Sequence, residues 1–221
     1  TRSFHVTGVQ TCALPIYPLF VKPAHLGSSI GITRVEKPEQ LNNALEVACH
    51  YDDKVIVEQG VANLIEVTLP IMGNEAPVPA MLEQPMLKSE DFFDFETKYM
   101  QGGKKGGKKG GAKQGAQGYS QIPADISKDL SEKAIQLGLD VYKTVGCTGI
   151  ARVDMLIDGK TNQVLFNEIN PLPGSLYSHN WNQAGISNVE LVQKLVHYGF
   201  DRFSQKQNIS TAFQTNYLKQ F

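Results

Sequence analysis

A chain of 221 residues can bury a core and hold one or two domains, and 41% hydrophobic with 19% charged residues is ordinary for a globular protein. A formal net charge of −1 leaves no global field to hold it on nucleic acid or a membrane surface. Cys12, Cys49 and Cys147 are odd in number and widely spaced, which argues against a disulfide framework or a zinc site, and no apolar run approaches the ~20 residues of a membrane span. Small-molecule partners and a cytoplasmic location are expected, with neither nucleic acid nor membrane.

The chain starts without Met, and residues 1–16 carry neither helical nor strand periodicity. They are read as a non-native leader, resembling a translated sequencing adapter joined to a partial gene. Residues 17–23 then form a short buried strand, Gly27-Ser28-Ser29-Ile30-Gly31 a turn, and residues 32–35 the returning strand. Pro38 suits the start of a helix bearing Leu41, Ala44, Leu45 and Ala48, and residues 55–58 are again a strand. Residues 60–63 read as a hinge. Apolar runs on either side of Gly73-Asn74 suggest a second hairpin, with Pro77 and Pro79 favouring an edge.

Residues 101–118 repeat Gly-Gly-Lys-Lys without a large apolar side chain, so a flexible loop is expected there. Its five lysines lack interleaved aromatic residues, which leaves an RNA-binding tract unsupported. Ser127 can cap a helix carrying Leu130, Ala134, Leu137 and Val141, which Gly146 can end. A last helix follows Ser187, with Leu191, Val192, Leu195 and Val196 on one face. Residues 205–221 are read as a polar tail.

The chemistry concentrates between Gly149 and Asn170. Alternation puts Ala151, Val153, Met155 and Ile157 on one strand face and Ile150, Arg152, Asp154 and Leu156 on the other. Asp158-Gly159 signals a turn, and a hairpin centred near Thr161 sets Asp154 opposite Glu168 and Arg152 opposite Asn170. Two carboxylates facing each other across a sheet repel unless a cation offsets them. Asp154, Glu168 and Asn170 offer only oxygen, which suits Mg²⁺ or Mn²⁺ shared with substrate phosphates. An isolated acidic pair is more often a solvated polar face; Arg152, Asn170 and the following Pro171-Leu172-Pro173-Gly174 favour a site.

The turn Gly27–Gly31 lets backbone N–H groups approach an anion, though a plain hairpin turn has the same composition, and it matches neither the dinucleotide-binding nor the P-loop pattern. Lys22, inside an apolar strand, calls for an anionic partner. None of the five histidines shows ligand spacing; His25 and His179 fall near the site loops, where a structural role is open.

In order, Phe20-Val21-Lys22-Pro23, the Gly27–Gly31 turn, Glu58, Glu66-Val67-Thr68, Glu96-Thr97-Lys98-Tyr99, Ala151-Arg152-Val153-Asp154 and Asn167-Glu168-Ile169-Asn170 resemble the D-alanine:D-alanine ligases of the ATP-grasp superfamily over residues 17 to about 200. The resemblance implies an α+β, ATP-grasp fold: two α+β subdomains with mainly antiparallel sheets and the nucleotide between them. Residues 17–62 would belong to the central subdomain and residues 63–204 to the catalytic one. Lys22, Gly27, Ser28 and Ser29 would hold ATP phosphates, Glu58 through Val61 the adenine and Glu66 the ribose. Lys98 would contact the γ-phosphate, and Arg152 would stabilise oxyanion charge. Ser28 and Tyr99 would orient substrates, and Asp154, Glu168 and Asn170 would hold two Mg²⁺ ions.

The implied reaction joins two D-alanines through an acyl-phosphate for peptidoglycan precursor synthesis. Gly174, Ser175 and Ser178 would lie near the second substrate's carboxylate, although residues 174–180 differ from the usual family sequence. Family members carry an N-terminal domain that supplies a glutamate near the first D-alanine, and it has no counterpart here. Activity of the chain by itself is therefore open, as is a homodimer. The alternatives are another ATP-grasp carboxylate-amine ligase, or a non-catalytic fragment that binds Mg-ATP.

Overall fold

A computed structural model of the chain describes residues 16–85 and 120–208. They fall into two units, residues 16–60 and residues 61–85 with 120–208. Residues 1–15 of the segment read as a leader, Lys98, Tyr99, the Gly/Lys segment 101–118 and residues 209–221 lie outside the described residues.

In the first unit, β1 (Leu19–Pro23) is flanked by β2 (Thr33–Val35) and β3 (Val55–Gln59), both antiparallel to it. Leu19, Val21 and Pro23 point inward while Phe20 and Lys22 alternate outward, as the period of a strand requires. Leu19, Val21 and Val35 pack on α1 (Leu41–Tyr51), which presents Ala44 and Ala48, with Leu41 and Leu45 at the margin. Pro38 opens a short 3-10 turn leading into this helix. Burial of side chains such as Val21 contributes roughly 1.5 to 3 kcal/mol each.

Between β1 and β2 the chain turns sharply: Ser28 and Ser29 are left-handed (φ 57° and 61°) and so is Gly31 (φ 73°). A Cβ on Gly31 would meet Pro23 Cγ at 2.8 Å, so glycine is required there on two counts. The root of the turn is tied down by Asp52, which accepts the His25 backbone N–H at 2.7 Å and the Lys54 N–H at 3.1 Å and lies 3.0 Å from His25 Nδ1. The His25 ring holds the Asp52 carboxyl well below its ordinary range. His25 thus has a structural role.

The second unit is built on an antiparallel sheet of order β5-β4-β8-β9, comprising β4 (Leu64–Gly73), β5 (Val78–Pro79), β8 (Gly149–Asp158) and β9 (Gln163–Asn170). A two-stranded ribbon, β6 (Gln84–Pro85) with β7 (Ser120–Gln121), lies beside it in sequence. The proline-bearing β5 is an edge, as a residue without an N–H demands. Helix α2 (Lys128–Thr144) begins where Ser127 Oγ accepts the Leu130 N–H, and the chain leaves it through left-handed Gly146. Its buried face of Leu130, Ala134, Gly138 and Tyr142 covers Val67, Leu69, Ile71, Ala151, Val153, Met155 and Ile157. Tyr142 donates its buried hydroxyl to the Gly73 carbonyl at 2.7 Å.

The opposite sheet face is partly covered by α3 (Ser178–Gln183) and α4 (Asn188–Gln207), through Trp181 and Leu191 packed on Met72 and Ile150. Here the expected helix face needs correction. Leu191, Leu195 and Tyr198 face the core, whereas Val192 and Val196 are half exposed, and Val196 borders a shallow groove with Gly199, Phe200 and Phe203. The helix touches its neighbours along one row only, so the adjacent apolar row stays uncovered. It also continues through Gln207, three residues into the segment read as a tail. No helix among the described residues is long and apolar enough to cross a membrane.

Candidate functional site

With α2 covering one face of the sheet, the side chains that alternate to the other face are polar over three adjacent strands. β4 supplies Glu66 and Thr68, β8 supplies Arg152 and Asp154, and β9 supplies Glu168 and Asn170. Thr68 lies opposite Asp154, Asp154 opposite Glu168, and Arg152 opposite Asn170. The cross-strand pairs expected at the site are therefore those observed. The turn is set by Asp158, whose Oδ1 accepts the Lys160 N–H at 2.8 Å and the Thr161 N–H at 3.3 Å. Between Asp154 and Met155 the pairing slips by one residue, leaving Asn167 as the extra residue of a bulge.

One cation beside the acidic pair is supplied by the protein. Arg152 donates from Nε to Asp154 Oδ1 at 2.7 Å and from Nη2 to Oδ2 at 2.5 Å, and Nη2 lies 3.9 Å from Glu168 Oε1. Side-chain exposure is 22% for Arg152, 14% for Asp154 and 54% for Glu168, so only Glu168 is well hydrated. Burial pushes the Asp154 carboxyl up to about 6; Arg152 pulls it down and Glu168 pushes it further up. For Arg152, burial disfavours the charge, but Asp154 and then Tyr177 and Glu168 outweigh it and raise its pKa.

Around this row lie residues that sequence spacing did not single out. Thr68 Oγ1 is 3.3 Å from Tyr177 Oη, and the Tyr177 ring lies under Arg152, whose Cζ is 5.4 Å from the ring centroid. Burial pushes the Tyr177 phenol up to about 12, so it stays neutral. Buried Glu83 exchanges two backbone hydrogen bonds with Thr68, and its carboxylate accepts from Asn180 Nδ2 at 3.1 Å and lies 2.8 Å from His179 Nε2. Alternation from Glu66 would have found Thr68; His179 falls near a site loop by sequence, as expected, whereas Glu83 and Tyr177 carry no local signal. Of the candidate substrate contacts, Gly174 and Ser175 are exposed, and the Ser175 carbonyl accepts the Ser178 N–H at the start of α3.

In the first unit, Lys22 has its anionic partner within the chain: Glu58 Oε2, 2.7 Å from Nζ across β1 and β3. The presence of a lysine in an apolar strand is thus accounted for by Glu58. Gly27 and Ser28 are exposed at the tip of the turn. Val61 and Glu66, both half-buried, open the second unit.

Asp154, Glu168 and Asn170 suit a hard divalent cation because each offers an oxygen donor on the same sheet face. His25, Asp52 and Asp53 also bring ligand atoms within 4.8 Å of one another, but Asp52 is already taken up by His25 and two backbone N–H groups.

Two units of antiparallel sheet and helix, the second carrying a polar row on one sheet face, define an α+β protein of the ATP-grasp fold. Residues 7–197 match the family model described as D-ala D-ala ligase C-terminus, and the chain belongs to that family. It is 36% identical over 203 residues to a D-alanine--D-alanine ligase of Solibacter usitatus, covering 90% of this chain and 58% of the relative. A second D-alanine--D-alanine ligase, from a Thermoanaerobacter species, is 34% identical over 194 residues, covering 86% and 50%.

Among solved structures, the D-alanine-D-alanine ligase of Coxiella burnetii is similar with a TM-score of 0.66 at 25% identity, covering 86% of this chain and 47% of that one. The VanG D-Ala:D-Ser ligase of Enterococcus faecalis gives 0.65 at 31% identity, covering 82% and 49%. The chain thus spans about half the length of the relatives it matches.

Proposed function

We propose that the full-length protein uses ATP to join two D-alanines into D-alanyl-D-alanine, in the cytoplasm, for peptidoglycan precursor synthesis. The observation that carries this reading is the row formed by Arg152, Asp154 and Glu168 with Asn170: a guanidinium and three oxygen ligands on one sheet face. Phosphoryl transfer followed by acyl transfer needs such a set, because negative charge builds first on the phosphoryl group and then on the acyl carbon's oxygen.

In this scheme Lys22 and the Gly27-Ser28-Ser29 turn hold the phosphates, Glu58 and Val61 meet the adenine, and Glu66 meets the ribose. Lys98 binds the γ-phosphate, while Ser28 and Tyr99 orient the substrates. One D-alanine carboxylate oxygen attacks the γ-phosphorus and ADP leaves. The second D-alanine's amine then attacks the acyl carbon, and inorganic phosphate leaves as the amide forms. Arg152 donates hydrogen bonds to the oxygens on which charge develops. Gly174, Ser175 and Ser178 line the second substrate's side. Asp154, Glu168 and Asn170 would hold two Mg²⁺ or Mn²⁺ ions, which when bound neutralise phosphate charge.

The test is ADP release by the full-length gene product, with D-alanine alone and with D-serine added, since VanG is a D-Ala:D-Ser ligase. Saturating D-alanine-dependent ADP release is expected. Turnover only with a different acid would move the protein to another ATP-grasp ligase, and turnover with none would refute a ligase. Calorimetry of the 221-residue chain with Mg-ATP isolates the metal assignment. Asp154→Asn should weaken binding by about tenfold or more, and equal affinities would remove these residues as ligands.

A further inference from the structure

Between Pro173 and α3 the chain makes a turn in which three consecutive non-glycine residues are left-handed: Ser175 (φ 51°), Leu176 (φ 51°) and Tyr177 (φ 55°). A single such residue is uncommon outside glycine and asparagine, and a run of three persists only where surrounding contacts fix it. Those contacts are present. Leu176 and Tyr177 pack against the cluster of Met72, Ile150, Trp181 and Leu191, and the Leu176 N–H bonds to the Pro173 carbonyl at 3.0 Å.

The product of the turn is the position of one ring. Tyr177 lies beneath the Arg152 guanidinium, with its hydroxyl against Thr68 and its ring tilted against that of His179, 4.6 Å between centroids. His179 is in turn held by buried Glu83, whose backbone pairs with Thr68 on β4. The ring is therefore fixed from two sides, by a strand hydroxyl and by an anchored imidazole. Arg152 is fixed by its fork on Asp154 and by this ring, which together limit both its reach and the tilt of its plane.

We infer that Tyr177 is a positioning residue for the proposed ligase reaction: the left-handed turn holds its ring as the floor under Arg152, so that the guanidinium meets the developing oxyanion in one orientation. The inference rests on the reading of Arg152 as the oxyanion-stabilising group. A floor of this kind acts on the transition state and leaves ATP binding alone, since Tyr177 acts only through Arg152.

The experiment uses steady-state ADP release by the full-length gene product, comparing Tyr177→Leu, Tyr177→Phe, Thr68→Val and Arg152→Lys, with the double variant Tyr177→Leu/Arg152→Lys. Tyr177→Leu should lower kcat by about tenfold or more with KM for ATP changed less than about twofold. Tyr177→Phe, which keeps the ring, should restore kcat to within about threefold. The double variant should be no slower than Arg152→Lys alone, because the two changes act on one group. If Tyr177→Leu does not fold, as judged by loss of Trp181 fluorescence, Thr68→Val takes its place. It should lower kcat by about threefold at unchanged KM, and unchanged kcat overturns the inference.

Loss of activity in Arg152→Lys with full activity in Tyr177→Leu overturns the positioning role and leaves the ligase reading standing. Full activity in Arg152→Lys, or absence of D-alanine-dependent turnover in the wild type, removes the underlying reading and this inference with it.

Discussion

Asp154→Asn, studied in metal-free buffer, measures the electrostatic tension at the polar row. Asp154 is 14% exposed and its carboxyl is pushed up from an ordinary 3.8 to about 6, by burial first and by Glu168 against the pull of Arg152. The folded state therefore binds a proton on Asp154 more tightly than the unfolded chain, so this group's contribution to stability falls as pH rises from about 4 to about 7. A shift of roughly two units at about 1.4 kcal/mol per unit is worth about 3 kcal/mol, of which some 2 kcal/mol is lost between those pH values. Asp52 and Asp158, whose carboxyls are held below their ordinary range, change stability with the opposite sign and at lower pH, outside this window. The assay is urea unfolding at several pH values, followed by the fluorescence of Trp181, the one tryptophan, which is buried in the same unit. Wild type should lose about 2 kcal/mol across the window, and Asp154→Asn should flatten that slope. An equal slope in both would refute the burial of Asp154 beside Glu168.

Two further substitutions test how the sheet is held. Gly138→Ala in α2 would place a Cβ 2.8 Å from Leu69 Cδ2, which is itself fully buried. The gain of about 1 kcal/mol in helix propensity is outweighed by overpacking, so a net loss of about 1 to 2 kcal/mol is expected in urea unfolding. Tyr142→Phe removes the donor to the Gly73 carbonyl and should cost about 1 to 2 kcal/mol by the same measurement, without altering the affinity for Mg-ATP.

Much of the site was legible because its signals are local. Alternation separated Ala151, Val153, Met155 and Ile157 from Arg152 and Asp154, and a hairpin centred near Thr161 gave the facing of Asp154 and Glu168, which the structure reaches through the bulge at Asn167. Ser127 announced its helix as an N-cap, and the last helix starts after Ser187 as expected. What stayed hidden depends on contacts between distant segments. Thr68 and Tyr177 are 109 residues apart, and Glu83 and His179 are 96 apart, with no pattern linking either pair. The ion pair between Arg152 and Asp154 was also missed, because a strand reading pairs only residues directly opposite. Arg152, two positions before Asp154 on the same face, is long enough to fork onto it. The inward rows of α4 were likewise undecidable, since Val192 and Val196 differ from Leu191 and Leu195 only in which neighbour the fold brings near.

The bulge at Asn167 explains how one short strand satisfies two demands at once. Val164 and Ile169 both pack against the core under α2, although five positions separate them and a regular strand would send them to opposite faces. Inserting one unpaired residue between them reverses the alternation, so Val164 faces the core with Ile157 while Glu168 and Asn170 stay on the polar face beside Asp154 and Arg152. Without that extra residue, β9 would have to give up either its apolar anchor near the turn or its carboxylate opposite Asp154. The irregularity thus lies where the structural needs of the hairpin and the chemistry of the site would otherwise conflict.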